Sequence, residues 1–326
     1  PLWSRGLGDV YKRQVNAGID ISKPAHIINQ VCGSGLRAVI SGYQSIKLGE
    51  VKCVISGGQE NMSLAPHSIF YRDSKKISKE QLIDTMINDG LIYAFNNYHM
   101  GVTAENIAKK FDILRDEQDD FALNSQEKTE VAIRTNRFDE ELIKINQMGS
   151  ILEKDEHPRK DVSIESLASL KTVFKENGTV TPGNSSGIND GAAGVLVMKR
   201  EEAERRNLKP LAKIVSWASC GVDPSLMGSG PIPSSKKALE KASWDVKSLD
   251  LVESNEAFAA QSLAVIKELK IPKEIVNVNG GAIALGHPIG ASGTRIIVTL
   301  IHEMIKLSLI HISEPTRPER IGESVV

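Results

Sequence analysis

The stretch from residue 24 to residue 56 constrains the fold more than any other part of this 326-residue sequence. The apolar run AHIINQV is followed by Cys-Gly-Ser-Gly, and apolar residues then recur at helical spacing from Leu36 to Leu48. Gly49 is a typical helix terminator, and a second apolar run, VKCVIS, follows it. This order predicts a strand–helix–strand unit, which favours a parallel sheet that helices cover on both faces.

The rest of the chain separates into portions that differ in composition and in hydrophobic pattern. Residues 64–180 are rich in Lys, Asp and Glu and carry polar helical patterns such as EQDDFALNSQEKTEVAIRT, which is typical of an inserted or lid domain. Regular α/β patterning returns in four apolar segments, at 191–198, 211–219, 249–260 and 275–286. The sequence therefore predicts an α/β protein with two regular portions around an irregular middle.

The two ends of the chain differ from everything between them. Residues 1–14 show neither helical nor strand periodicity. An amphipathic helical pattern ends near Leu307, and the residues after it, 308–326, are rich in Pro and Arg. Both strings resemble translated adapter sequence from library preparation, so we expect them to be non-native; genuine disordered tails are the alternative. The interpretable chain then runs from about Val15 to Leu307.

Charge and cysteine usage give no support to several classes of function. A formal net charge of −1 and a pI near 6.8 give no electrostatic reason to expect a nucleic acid or an acidic membrane surface as partner. No apolar run is long enough to span a bilayer. Cysteine occurs only at positions 32, 53 and 220, without a CxxC pair, so we expect neither a zinc site nor a disulfide framework. A reducing compartment is the simpler expectation.

Cys32 lies where the predicted strand ends and the helix begins. Unpaired backbone N–H groups and the helix dipole at such a point stabilise a thiolate, and the flanking glycines let a substrate carbonyl approach closely. A small buried hydrophobic residue is the commoner fate of a free cysteine and remains the alternative. Cys53, within a predicted strand, is expected to be structural.

Two further segments place polar side chains where apolar runs end. His287, in GHPIGASG, is held between a glycine and a proline, and this rigidity suits a base within hydrogen-bond reach of a nucleophile. A loop histidine more often has no such role. Asn255, in SNEAFAAQ, can orient a water or donate to an oxyanion, and it can equally cap the following helix.

Together, these motifs resemble those of the thiolase family over residues 15–307. The same order includes SGGQENMS (56–63), YHMGVTAEN (98–106), GNSSGINDGAA (183–193) and SWASCGVDPSLMGSGPIP (216–233). The resemblance implies a layered α-β-α-β-α fold of two similar halves with an inserted loop domain. By the same resemblance, residues 15–63 and 190–210 form the N-terminal half, 64–189 the CoA-binding loop domain and 211–307 the C-terminal half.

The resemblance also implies an acyltransferase that condenses two acetyl-CoA molecules to acetoacetyl-CoA plus CoA and catalyses the reverse thiolysis. Cys32 matches the nucleophile that takes the acyl group as a thioester, and its backbone N–H matches half of an oxyanion hole. His287 matches the base that activates Cys32, and Asn255 matches the residue that holds a water in the other oxyanion hole. The YHMG motif favours the short-chain branch; a longer-chain 3-ketoacyl-CoA thiolase is the alternative.

Five other positions match CoA contacts of the family. Arg159 and Ser166 match positions near the adenine and phosphate end of CoA. Ser186 matches a serine against the pantetheine, and His99 with Met100 matches the lining of the acyl pocket. CoA thioesters would be the substrates, and no metal or redox cofactor is implied.

One part of the family pattern is missing from the sequence. Thiolases carry a second cysteine, in a C-x-G-G-G segment, that moves the proton on the acetyl α-carbon; the matching place falls at about Arg317. Two hypotheses follow. Either the natural protein is a full thiolase of which this sequence is a truncated reading, or the chain itself is a non-catalytic acyl-CoA binder. We expect such a chain to expose sheet edges and to aggregate.

The family forms dimers, and often tetramers through a loop that matches residues 64–97. We therefore expect a homodimer or homotetramer in fatty acid metabolism, without a nucleic-acid or membrane partner. A cytoplasmic location is expected. A mitochondrial or peroxisomal location stays open because the sequence does not begin with Met.

Overall fold

A computed structural model describes residues 7–69, 82–147 and 150–309. Three regions singled out above lie outside these ranges. They are residues 1–6, the 70–81 part of the expected tetramer loop, and residues 310–326 with Arg317.

The described residues form ten α-helices and eight β-strands. The helices are α1 (Leu7–Asn16), α2 (Ser34–Leu48), α3 (Met100–Phe111), α4 (Arg115–Arg134), α5 (Ile164–Ala168), α6 (Arg200–Arg205), α7 (Pro231–Ala242), α8 (Ala259–Leu269), α9 (Ala282–Leu285) and α10 (Ile289–Lys306). The strands are β1 (Cys53–Glu60), β2 (His67–Ser68), β3 (Ile83–Asp84), β4 (Ile92–Tyr93), β5 (Tyr98–His99), β6 (Ile145–Gln147), β7 (Ser150–Leu152) and β8 (Gly191–Met198). Short 3-10 turns occupy Val31–Gly33, Pro224–Ser229, Val246–Ser248 and Lys273–Ile275.

The long helices follow the sequence pattern closely. The helix predicted from Leu36 to Leu48 is α2, and Gly49 ends it in the left-handed region, at φ 81°. The amphipathic pattern in the middle of the chain forms α4, and the apolar pattern before residue 307 forms α10. Periodicity is sufficient for α2 and α10 because each buries one mainly apolar face. The buried face of α4 is mostly polar, with Gln118, Asp119, Ser125, Gln126 and Thr129.

The predicted strand AHIINQV is wrong. Residues 25–30 have no regular structure and lead into the turn Val31–Gly33. Local side chains bind this backbone instead of a neighbouring strand: Asn29 Oδ1 accepts from the Val31 N–H at 3.0 Å, and Ser34 Oγ accepts from the Gln30 N–H at 2.8 Å.

The expected parallel sheet is also absent from the described part of the chain, where each of the four sheets is one antiparallel pair of strands. The main pair joins β1 to β8, with Cys53 opposite Met198 and Glu60 opposite Gly191. Segment 191–198 is thus a strand as predicted, whereas 211–219 has no regular structure. On the outer face of this pair Ile55 and Leu196 lie opposite each other, and both are exposed.

The N-terminal segment is more ordered than its pattern predicts. Residues 7–14, expected to lack helical structure, belong to α1. Buried Gln14 anchors the end of this helix, because its Nε2 donates to the carbonyls of Asp20 and Lys23 at 2.8 and 2.7 Å. Side-chain hydrogen bonds of this kind are invisible to periodicity.

The backbone of helix α10 lies unusually close to the backbones of α2 and β1, at positions occupied by glycine. A Cβ added at Gly58 would overlap the carbonyl of Gly290, and one added at Gly35 would overlap the backbone of Thr294. Only glycine permits these close backbone contacts. They hold the start of α10 against the turn that begins α2, which brings two of the candidate site residues together.

The main apolar core lies in the C-terminal part of the chain. Seven buried side chains form it: Ile232, Val252, Val265, Ile266, Leu269, Ile271 and Val276. Helix α8, which supplies three of them, follows the SNEAF segment and so gives that segment a rigid support. No helix in the described ranges is both long and apolar enough to cross a membrane.

Candidate active site

Cys32 lies in a turn whose backbone is strained. Val31, immediately before it, has φ 49°, a conformation that β-branched residues rarely adopt. The turn is held from both sides, since Asn29 accepts from the Val31 N–H and Ser34 Oγ donates to the Val31 carbonyl at 2.7 Å. Strain that its surroundings hold in place is typical of functional sites. Nothing in the sequence indicates that Val31 adopts this conformation.

Cys32 and His287 lie together although 255 positions separate them in the sequence. The distance from His287 Nε2 to Cys32 Sγ is 3.2 Å. His287 is buried, whereas the Cys32 residue keeps partial exposure. This geometry suits a thiol nucleophile and the imidazole base that accepts its proton.

The electrostatic environment keeps both groups neutral. Burial raises the pKa of the Cys32 thiol to about 12, and the Glu60 carboxylate adds to this effect. Burial, with a contribution from the Arg295 guanidinium, lowers the pKa of His287 to about 4. The expectation that the helix start lowers the pKa of the Cys32 thiol is therefore wrong, because desolvation outweighs the helix terminus. Proton transfer from Cys32 to His287 must accompany attack on a substrate.

Asn255 lies at the same histidine. Its Nδ2 is 3.4 Å from His287 Nε2, and the residue is 1% exposed. The helix-cap alternative is wrong, since α8 begins at Ala259 with Phe258 in the capping position. Within the described residues the buried Oδ1 of Asn255 has no hydrogen-bond partner. A buried acceptor of this kind is costly unless a ligand or solvent engages it.

Glu256 fixes the segment that carries Asn255. Its buried carboxylate accepts from Ser125 Oγ at 2.7 Å, from Asn277 Nδ2 at 2.8 Å and from the Ile283 N–H at 3.2 Å. Burial raises the pKa of Glu256, and these three donors oppose the rise. The carboxylate thus ties α4 to the loop that holds Asn277 and to the short helix α9. Sequence reasoning missed this role, although Glu256 stands beside Asn255 in the quoted motif.

The loop before α10 fixes the histidine backbone. The His287 N–H donates to Asn189 Oδ1 at 3.1 Å, and Gly286 adopts φ 98°, which favours glycine. The Gly290 N–H donates to a carboxylate oxygen of Glu60 at 3.1 Å, which links the start of α10 to β1. Asn189 and Glu60 were not predicted as site residues, although both lie in motifs quoted above.

Three of the five expected CoA contacts lie near this site. The backbone N–H and the Oγ of Ser186 both donate to the Ala257 carbonyl at 3.0 Å, two residues from Asn255. His99 stacks on Phe174 with ring centroids 4.6 Å apart, and Phe174 meets the edge of Phe258 at 6.3 Å. Met100 follows His99 as the first residue of α3. An aromatic chain therefore connects YHMG to SNEAF.

Arg159 and Ser166 lie on the exposed side of the inserted segment. The Arg159 N–H donates to Gln126 Oε1 at 3.3 Å, and Ser166 Oγ donates to the Ser163 carbonyl at 2.7 Å. In the described ranges neither residue bonds to Cys32 or His287. In the same ranges no cluster of three or more His, Cys, Asp or Glu side chains can hold a metal ion.

Comparison with known proteins gives matches over most of the chain. The family model for the thiolase N-terminal domain matches residues 3–201, and that for the thiolase C-terminal domain matches residues 208–310. Among relatives, the acetyl-CoA acetyltransferase of Rhizobium meliloti is 53% identical over 303 residues, which cover 92% of this chain and 77% of that protein. The cytosolic acetyl-CoA acetyltransferase of Mus musculus is 50% identical over 307 residues, with shares of 92% and 77%.

Solved structures agree with these relatives. The acetyl-CoA acetyltransferase of Bacillus anthracis superposes with a TM-score of 0.86 at 41% identity, covering 90% of this chain and 76% of that one. Human mitochondrial 3-ketoacyl-CoA thiolase in complex with CoA superposes with a TM-score of 0.86 at 40% identity, covering 90% and 75%.

Proposed function

Because this chain belongs to the thiolase family, we propose that it is an acetyl-CoA C-acetyltransferase. The thiolase-like α/β fold expected from the motifs is confirmed by the superpositions. The single observation that supports a chemical role for this chain is the 3.2 Å contact of His287 Nε2 with Cys32 Sγ, with Asn255 beside it.

The first half-reaction is acyl transfer to Cys32. Its thiol attacks the thioester carbonyl carbon of acetyl-CoA while the thiol proton passes to His287 Nε2. The resulting oxyanion receives a hydrogen bond from the Cys32 N–H, whereas the water that Asn255 holds serves the other oxyanion hole, for the thioester oxygen of the acyl-CoA. When the tetrahedral intermediate collapses, the bond to the CoA sulfur breaks. That sulfur takes the proton back from His287, and an acetyl-cysteine remains.

The second half-reaction joins a second acetyl-CoA to the acetyl-cysteine. A base removes a proton from the methyl group, the carbanion attacks the Cys32 thioester, and the Cys32 sulfur leaves and is reprotonated. In the family a second cysteine moves that methyl proton, and this sequence has cysteine only at 32, 53 and 220. An acyl-CoA binder that stops at acetyl-Cys32 is therefore the second candidate function.

The remaining assignments rest on the family and on position. We assign Ser186, His99 and Met100 to the pantetheine and acyl end of CoA, because they adjoin the SNEAF segment. Arg159 and Ser166 are assigned to the adenine and phosphate end, and residues 64–189 to a CoA-binding loop domain. CoA thioesters are the substrates, with no further cofactor. A homodimer or homotetramer in the cytoplasm completes the proposal.

Mass spectrometry of the purified chain tests the function. After incubation with acetyl-CoA, we expect one acetyl group per chain on the Cys32 peptide and one equivalent of free CoA thiol. Acetoacetyl-CoA in the same mixture would establish the complete condensation activity. If acetyl-Cys32 forms without acetoacetyl-CoA, the second candidate function, an acyl-CoA binder that stops at acetyl-Cys32, is supported instead. No acetylation from acetyl-CoA, but acylation of Cys32 by a longer 3-ketoacyl-CoA with release of acetyl-CoA, would support the longer-chain alternative. The absence of any acylation would contradict the proposal.

The pH dependence of Cys32 acetylation provides a second prediction. The pKa of His287 is lowered to about 4, so the imidazole is a neutral base above that pH and becomes protonated as the pH falls through it. The pKa of Cys32 is about 12, so little thiolate forms below pH 9. We expect the rate of CoA release to change by less than about twofold from pH 6 to 9 and to fall towards pH 4. A midpoint between 6 and 7 would show an unperturbed histidine instead.

A further inference from the structure

The second ring nitrogen of His287 has a close neighbour. Ser292 Oγ is 2.6 Å from His287 Nδ1, and Ser292 is 1% exposed on the first turn of α10. The same hydroxyl oxygen is 3.0 Å from the carbonyl oxygen of Pro288, four residues earlier. His287 is thus contacted on one side by the Cys32 thiol and on the other by a buried hydroxyl.

A serine hydroxyl has one proton and two lone pairs, and this restricts the arrangement. If the hydroxyl donates to the Pro288 carbonyl, it must accept at Nδ1, so Nδ1 carries the imidazole proton. If it donates to Nδ1 instead, Nε2 carries the proton, and the Ser292 and Pro288 oxygens meet at 3.0 Å without a hydrogen between them. The first arrangement satisfies each polar atom, and a serine that bonds to the carbonyl four residues back is a common helical pattern.

We propose that Ser292 is a positioning residue that holds His287 as the Nδ1–H tautomer, so that the Nε2 lone pair faces the Cys32 thiol. The proposal rests on the proposed acyl transfer and adds a second group that favours Nε2 as the base, beside the Asn255 NH₂ group 3.4 Å from Nε2. A neutral imidazole has one basic nitrogen, and only this tautomer can accept the proton of Cys32.

A hydroxyl at this position also differs in effect from a carboxylate. A carboxylate at Nδ1 stabilises an imidazolium, as in catalytic triads. Ser292 carries no charge, and the nearby Arg295 guanidinium disfavours the imidazolium, consistent with the lowered pKa of His287. His287 therefore takes the thiol proton only during attack and returns it readily to the departing CoA sulfur.

Ser292→Ala tests the proposal, with Ser234→Ala as the matched control. Ser234 is also buried on the first turn of a helix, and its Oγ also donates to the carbonyl four residues earlier, that of Gly230, at 2.7 Å. Long-range ¹H–¹⁵N spectra of protein labelled at histidine report which ring nitrogen is protonated. We expect Nδ1 of His287 to be protonated in the wild type and in Ser234→Ala. In Ser292→Ala we expect a mixture of tautomers.

Alkylation of Cys32 by iodoacetamide provides a readout that does not depend on acetyl-CoA. Mass spectrometry of the three cysteine peptides separates Cys32 from Cys53 and Cys220. We expect Ser292→Ala to slow alkylation at Cys32 by about 10-fold or more, because an incorrect tautomer costs up to ~10⁴-fold in catalytic triads. Alkylation of the other two thiols should not change. Acetylation kinetics should show a lower kcat with an unchanged KM.

The outcomes are distinct. A wild-type His287 protonated at Nε2, or a Ser292→Ala variant with unchanged tautomer and unchanged Cys32 alkylation, would overturn the proposal. Should Ser292→Ala fail to fold, Ser292→Thr keeps the hydroxyl and is expected to keep the wild-type tautomer; a Thr variant that loses it would also overturn the proposal. Acetylation that fails in the wild type, while the tautomer and alkylation results hold, would reject only the proposed function.

Discussion

Replacing Cys32 with serine should lower the rate of acetyl transfer from acetyl-CoA by about 10⁴-fold or more. Serine keeps the size of the side chain, so the turn before α2 and the contact with His287 are preserved. A hydroxyl, however, is a much weaker nucleophile than a thiol and needs a stronger base than a histidine with a pKa of about 4. The measurement is the rate of CoA thiol release, together with the mass of the peptide that contains residue 32.

Cys53→Ser and Cys220→Ser are the controls for this variant. Both cysteines are free thiols, and neither is hydrogen-bonded to His287 in the described part of the chain. Each control should keep the wild-type rate within about twofold, as expected for a change outside the reacting atoms. Acetyl transfer that survived in Cys32→Ser but vanished in Cys220→Ser would assign the nucleophile to the other cysteine and contradict the proposed mechanism.

Replacing Glu256 with alanine should lower the free energy of unfolding by about 3–5 kcal/mol. The substitution leaves three buried donors, on Ser125, Asn277 and Ile283, without their acceptor. It also opens a cavity beside Gly281, where an added Cβ would already overlap the Glu256 carboxylate. Urea unfolding followed by circular dichroism gives the change directly.

Two further variants separate the causes of that loss. Glu274→Ala removes an exposed carboxylate from the same part of the chain and should change stability by less than about 0.5 kcal/mol. Glu256→Gln keeps the volume but turns an NH₂ group towards other donors, so it should retain only part of the wild-type stability. We expect both Glu256 variants to lose acetyl transfer as Asn255 shifts. A Glu256→Ala protein with wild-type stability would show that the carboxylate does not hold this region together.

The helices were predictable because their information is local. The apolar spacing of α2 and the glycine that ends it lie within sixteen consecutive residues, Ser34 to Gly49. The pattern of α10 is equally local, and so is that of α4, although the face that α4 buries is mostly polar. The apolar run before Cys32 carried equally local information, and the strand prediction failed there. A strand needs a partner, and in this segment Asn29 and Ser34 bind the backbone first.

The sequence predicted which residues form the candidate site, but it did not predict their burial, their protonation or the side chains that support them. The sequence by itself determined that Cys32 stands at the start of a helix, that His287 is fixed by its neighbours, and that the motifs occur in thiolase order. Only the tertiary structure decided the protonation of these groups and identified Ser292 and Glu256 as supports. The physical reason is that desolvation and hydrogen bonding sum over neighbours that are far apart in the chain. The packing of α10 against α2 brings His287 to Cys32 across 255 positions, and the burial that results keeps the thiol protonated, contrary to the expectation from the helix start alone.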